Sequence, residues 1–157
     1  MPKEKYDFAG WVTKNDTRCS DGVVIKHGAF KDNDQKTVPL VWNHNHSEPT
    51  NVLGHVMLHN DEKGVYGYGY FNETDEAKHA KELIKHGDIS AMSIGANRIK
   101  KQGQNVIHGM IYEVSLVLRG ANPGALIETV MAHSDDSVET DKAIIYTGNL
   151  IHSADDI

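Results

Sequence analysis

Apolar and polar residues alternate in short runs along most of this chain, the period of a strand with one buried face. The runs are YDFAGWVTK, TVPLVWN, NVLGHVML, GVYGYGYF, ISAMSIGANRI and MIYEVSLVL, each rich in β-branched or aromatic residues and bounded by Gly, Asn, Asp or Pro. They predict about six strands. One segment breaks the pattern. In NETDEAKHAKELIKHG, Asn72 or Thr74 caps a helix, acids fill its first turn, and Ala77, Ala80, Leu83 and Ile84 fall near one face; lysines come late and Gly87 stops it. The prediction is a helix of about 12 residues. Short strands with one inserted helix point to a mainly β, α+β fold, a mostly antiparallel barrel or sandwich closed partly by helices.

A chain of 157 residues, 39% of them hydrophobic, holds enough apolar side chain for one core and is short for two. The domain edge is expected near Thr129, giving a body of residues 1–128 and an extension of 129–157. From His133 onward six acids face one base, Lys142, so this stretch reads as a solvated, mobile extension, within which KAIIYTGNLI offers one more strand. MAHSDD (Met131 to Asp136) and IHSADD (Ile151 to Asp156) repeat one apolar-His-Ser-acidic phrase there and mark accessible backbone.

Charge narrows the partners. A net charge of -6 without clustered Lys and Arg argues against nucleic acid. No run reaches the roughly 18 apolar residues of a membrane helix, and MPKEKYDFAG lacks the apolar segment of a signal peptide. The single cysteine, Cys19, leaves no intramolecular disulfide and no Cys-based zinc cluster. A soluble intracellular protein is expected.

Three positions carry candidate chemistry. His44 and His46 follow the apolar run Val38 to Trp42, and both imidazoles share a face if the strand continues; hydrogen-bonded strand-end histidines are the plainer alternative. Ser93 sits among small or flexible residues with Gly95 two places on, where a base would activate the hydroxyl and backbone N–H groups would meet an oxyanion. Ser90 competes from the opposite face. Glu113 is the lone carboxylate in the apolar run MIYEVSLVL: it faces solvent or has a partner, and orienting a histidine is one such partnership. If it faces solvent, the third member must be sought elsewhere, with His46, His55 and His108 the first candidates. The order His, Ser, Glu is consistent with a triad.

These residues resemble the tailed-phage prohead serine proteases, capsid-maturation enzymes related in fold to herpesvirus assemblins. The resemblance rests on VPLVWNHN, NVLGHV, a helix ending in LIKHGDISAMSIGA, and YEVSLVLRGANPGA, with FAGWVTKNDTRCSDGVVIKHGAF upstream; it runs from Phe8 to Ala125. It implies an assemblin-like, mostly antiparallel barrel of about seven strands with peripheral helices. It also implies that Ser93 is the nucleophile, His44 the base and Glu113 the third member; Ser90, His46 and Ser115 fall outside the motif positions. A tetrahedral oxyanion at Ser93 would need donors, for which backbone N–H groups near Gly95 or the charge of Arg119 are the candidates. The substrates so implied are the major capsid protein and scaffold segments, cut inside the immature capsid, the prohead, in the bacterial host cytoplasm. The enzyme would act as a homodimer or higher oligomer, without a cofactor, as a zymogen or its processed form. Arg119 and Gly120 stand where the family pattern has a Thr- or Pro-containing segment, and the acidic end matches no family motif.

Two other classes compete. HNHSEPTNVLGHVMLH supplies His44, His46, His55 and His59, imidazoles enough for a zinc or nickel enzyme, although no acidic cluster accompanies them. The other is a protease-like domain kept as a catalytically silent scaffold or assembly partner.

Overall fold

Among the described residues the strands are, in chain order, β1 (Phe8–Lys14), β2 (Val24–Ile25), β3 (Thr37–Trp42), β4 (Val52–Asn60), β5 (Gly64–Phe71), β6 (Ala91–Gln102), β7 (Asn105–Val117), β8 (Ile127–Ala132) and β9 (Lys142–Ile145), with an α-helix, α1 (Asp75–Lys85), between β5 and β6. The structure is a computed structural model and describes residues 5–132 and 142–145. All six runs expected from alternation are strands. The helix starts where its cap demands: Thr74 Oγ1 accepts the Ala77 N–H at 3.1 Å. It ends at Gly87, whose φ of +79° is the left-handed conformation that closes a helix, with its N–H donating to the Ile84 carbonyl.

Hydrogen-bonded neighbours run β2-β7-β3-β4-β5-β1-β8-β9, with β6 attached to β7. Among the described strands only β2–β7 and β3–β7 are parallel; the other pairs are antiparallel, as expected. Among the described residues the path ends at β2 and β9, so the sheet is open where closure into a barrel was expected. It nevertheless surrounds one core. Phe8 and Val12 of β1, Leu40 of β3, Val56 of β4, Met92 of β6, Leu116 of β7 and Ile84 of α1 all pack there. The Gly-Tyr alternation of β5 shows how tightly: a side chain on Gly69 would enter the Phe8 ring, while Tyr66, Tyr68 and Tyr70 turn outward, half-buried.

β8 pairs with β1 through Phe8↔Val130 and Ala9↔Thr129, and Val130 is buried, so the sheet runs across the boundary expected near Thr129. β9 takes Lys142–Ile145 from the offered KAIIYTGNLI run. The rest of the acidic extension, including most of both repeated phrases, lies outside the described residues.

A side chain stands in for a strand beside β7. β6 covers one edge of β7 throughout, whereas on the other edge β2 meets Asn105 and Val106 and β3 meets Val114 to Leu116. The backbone between is satisfied by Asn33, 0% exposed, which accepts the Ile111 N–H (2.9 Å) and donates to the carbonyls of Gly109 (3.1 Å) and Phe30 (3.0 Å). Lys36 Nζ donates to the Ile111 carbonyl at 2.7 Å. Buried backbone groups left unpaired cost about 1–3 kcal/mol each. Asn33→Ala is therefore expected to lower stability by about 2–4 kcal/mol in denaturant titration. A loss below about 0.5 kcal/mol would mean that water replaces the side chain without penalty.

Candidate active site

Near its end β7 lies between β6 and β3, and these three strands bring chemistry to one place. Ser93 of β6 is directly opposite Ser115 of β7, and Gly95 is opposite Glu113. Cross-strand partners and residues two apart share a face, so Ser93, Gly95, Glu113 and Ser115 all face the same side. On the other edge Val41↔Ser115 and Trp42↔Leu116 run parallel, which delivers the residues after β3 to the same spot.

The strand does not continue into the histidines. Asn43 and His44 both have positive φ, 51° and 56°, so extended backbone ends at Trp42 and the chain turns over the end of β7. The Asn43 N–H donates to the Leu116 carbonyl (3.0 Å), and the His44 N–H to Ser115 Oγ (2.8 Å). Both imidazoles still reach one carboxylate: His44 Nδ1 is 2.5 Å from Glu113 Oε2, and His46 Nε2 is 3.9 Å from it.

Glu113 is thus a buried strand carboxylate, 2% exposed, rather than a solvent-facing one. Its second oxygen, Oε1, accepts from Ser115 Oγ at 2.8 Å. A buried carboxylate is tolerated only with such partners. Gly95 makes the room for it. A Cβ at Gly95 would collide with Glu113 Oε2 and lie 2.9 Å from both Glu113 Cγ and Tyr112 Cε1, so only glycine fits opposite the acid.

The two facing serines differ. Ser115 Oγ is committed to Glu113 and to the His44 backbone, whereas Ser93 Oγ is buried with no hydrogen-bond partner among the described residues. Ser90 precedes β6, and its carbonyl accepts the Ile127 N–H. Arg119 is exposed on the segment after β7, beyond the Ala91↔Val117 pair. Burial, with a smaller contribution from Asp21, pushes the Cys19 thiol up to about 11, which removes it as a competing nucleophile at neutral pH.

The other three candidate histidines have contacts elsewhere. His55 stacks on Tyr70, His59 pairs with Asp34 at 3.3 Å, and His108 lies 3.9 Å from Asp32. Among the described residues no three His, Cys, Asp or Glu side chains gather in a metal-holding group, and His55 and His59 do not join His44 and His46 at Glu113. Sequence reasoning set Ser115 aside. Its spacing of two from Glu113 was the available signal, since it places both side chains on one strand face.

A cleft of about 700 Å³ opens beside this group, lined by His44, His46 and Gly95 and by the apolar side chains of Val23, Ile25, Phe30, Ile99, Val106 and Tyr112. Ile99 and Tyr112 leave 40% and 45% of their surface in water, a cost the core does not require.

A family model described as caudovirus prohead serine protease matches residues 4–140. No curated protein matches the chain. Among solved structures it is similar to the crystal structure of KSHV protease in complex with a hexapeptide phosphonate inhibitor, at 14% identity and a TM-score of 0.51. The match covers 80% of this chain and 64% of that one, a likeness of fold that spans less than two thirds of the KSHV chain.

Gly95→Ala tests the packing of the acid. It is expected to cost about 1–3 kcal/mol and to displace the Glu113 carboxylate from His44. A crystal structure of the variant with that contact intact would show that the glycine serves another purpose.

Proposed function

This chain belongs to the caudovirus prohead serine protease family, and we propose that it is a serine endopeptidase of capsid maturation in which Ser93, His44 and Glu113 act together. The observation that carries the reading is the His44 Nδ1–Glu113 Oε2 contact of 2.5 Å on the strand face where Ser93, cross-strand from Ser115, holds a buried hydroxyl without a hydrogen-bond partner among the described residues. A carboxylate on Nδ1 holds the tautomer whose Nε2 can accept a proton. His44 Nε2 takes the Ser93 proton as Oγ bonds to the scissile carbonyl carbon, and Glu113 stabilises the resulting imidazolium. The proton then passes to the leaving amine as the C–N bond breaks. Water, deprotonated by His44, releases the acyl group and restores Ser93. Backbone N–H groups at Gly95 and the Arg119 charge are the oxyanion donors of this reading.

The substrates are segments of capsid and scaffold protein, cut inside the immature capsid in the host cell. The neighbouring cleft suits an extended polypeptide with a large apolar side chain, since most of its walls are aliphatic or aromatic and its charged residues, Asp21 and Lys101, are of opposite sign.

Co-expression with the major capsid protein, followed by mass spectrometry, tests the activity. Ser93→Ala is expected to abolish processing and labelling by a fluorophosphonate probe, and Glu113→Gln to lower turnover by roughly 10³–10⁴-fold with the fold retained. Processing that survives in Ser93→Ala would refute the assignment, and a wild type that neither cuts nor labels would favour a silent scaffold.

Ile99→Asp places a charge on the apolar wall. Its kcat/KM on a polypeptide substrate is expected to fall by roughly 10–100-fold, mainly through KM. An unchanged KM would remove the cleft from the substrate's path.

A further inference from the structure

The described site contains one group that the triad does not name. Ser115 is 0% exposed, and its hydroxyl joins the two halves of the imidazole–carboxylate pair. As donor it holds Glu113 Oε1 at 2.8 Å, leaving Oε2 for His44 Nδ1. As acceptor it takes the backbone N–H of His44 at 2.8 Å, and it lies 3.2 Å from Nδ1 of the same residue.

Both halves need holding. His44 occupies the left-handed region, which strains a non-glycine residue, so the turn persists only while its surroundings define it. A carboxylate side chain in turn rotates about its last bond with little restriction, and a bond to one oxygen leaves that rotation open. One hydroxyl bonded to Oε1 and to the His44 N–H fixes the carboxylate plane and the loop in a common frame. Placement matters at this scale, because a shift of about 1 Å in a reacting group can lower a rate by roughly 100-fold.

We infer that Ser115 is a positioning residue of the catalytic site, a buried hydroxyl clamp that sets the His44 imidazole against Glu113 and is not itself a nucleophile. The inference rests on the reading of Ser93, His44 and Glu113 given above. Its nearest alternative, that Ser115 merely fills space in β7, predicts different behaviour from the hydroxyl.

The test compares wild type, Ser115→Ala, Ser115→Thr and Glu113→Gln, each checked for folding by thermal melting. Ser115→Ala is expected to lose about 10–100-fold in kcat with KM within twofold, because alignment is lost and substrate contacts are not. The downfield proton signal of His44 Nδ1–H should shift or broaden in the same variant. Ser115→Thr restores a hydroxyl on a residue suited to strands and should recover at least tenfold of the lost kcat. If Ser115→Ala does not fold, Ser115→Cys, similar in volume but weaker as donor and acceptor, takes its place with the same expected loss. A folded Ala or Cys variant with kcat within threefold of wild type and an unmoved proton signal would overturn the clamp, as would a Thr variant no better than Ala at equal melting temperature. Glu113→Gln separates the two levels: full activity there removes the triad and the clamp together, whereas an inactive Glu113→Gln beside a fully active Ser115→Ala removes the clamp alone.

Discussion

The carboxylate of Glu113 is the constraint around which this region is built. It sits on β7 between Ile111 and Val114, both fully buried, and an ionised acid in such a place costs several kcal/mol unless its oxygens are partnered. Each partner makes a demand on the chain. His44 reaches Oε2 only because β3 runs parallel to β7, ends at Trp42 and turns through two left-handed residues. Ser115 reaches Oε1 because it lies two residues along the same strand. Gly95 faces the acid because any Cβ there would occupy its space. The antiparallel register that brings Gly95 to Glu113 also brings Ser93 to Ser115. One buried carboxylate is thus reached through a parallel pair in a mostly antiparallel sheet, a left-handed turn and a glycine in a strand.

The same sheet supplies the cleft, through the unusual way the other edge of β7 is finished. Where a strand would close that edge, Asn33 bonds to Gly109 and Ile111 and holds the Phe30 carbonyl. Phe30 is one wall of the cleft, and a side chain at Gly109 would strike both Phe30 and Ile99. The polar network that satisfies the backbone therefore also sets the position of an apolar wall. This arrangement has a structural cost: the Asn33 side chain that covers β7 here is irreplaceable in a way that one residue of a regular strand is not, since it satisfies three backbone groups.

Much of the architecture was legible beforehand. Alternation marked β1, β3, β4, β5, β6 and β7, because a strand with one wet face must alternate; Thr74 and Gly87 marked the helix ends, because orphan backbone groups need caps. β8 was harder to read. Its run, IETVMA, is short and borders an acidic stretch, and its burial comes from pairing with β1, more than a hundred residues earlier. The end of β3 was equally hidden, because nothing in WNHNHS requires the left-handed turn that the contacts to Leu116 and Ser115 stabilise.

The sequence by itself determined which residue types were at hand and the local periods they obey: a His, a Ser and a Glu on or beside apolar runs, spaced to fall on separate segments. It left open whether Glu113 faced water, whether His44 or His46 approached it, and what Gly95 and Ser115 would touch. Only tertiary structure decided these points. The reason is physical: period-2 alternation assigns a side chain to a face, but burial, partner and protonation chemistry depend on which other strands cover that face and in what register. A shift of one residue between β6 and β7 would keep every local pattern intact, yet would turn Ser93 away from Ser115 and set a side chain against the acid.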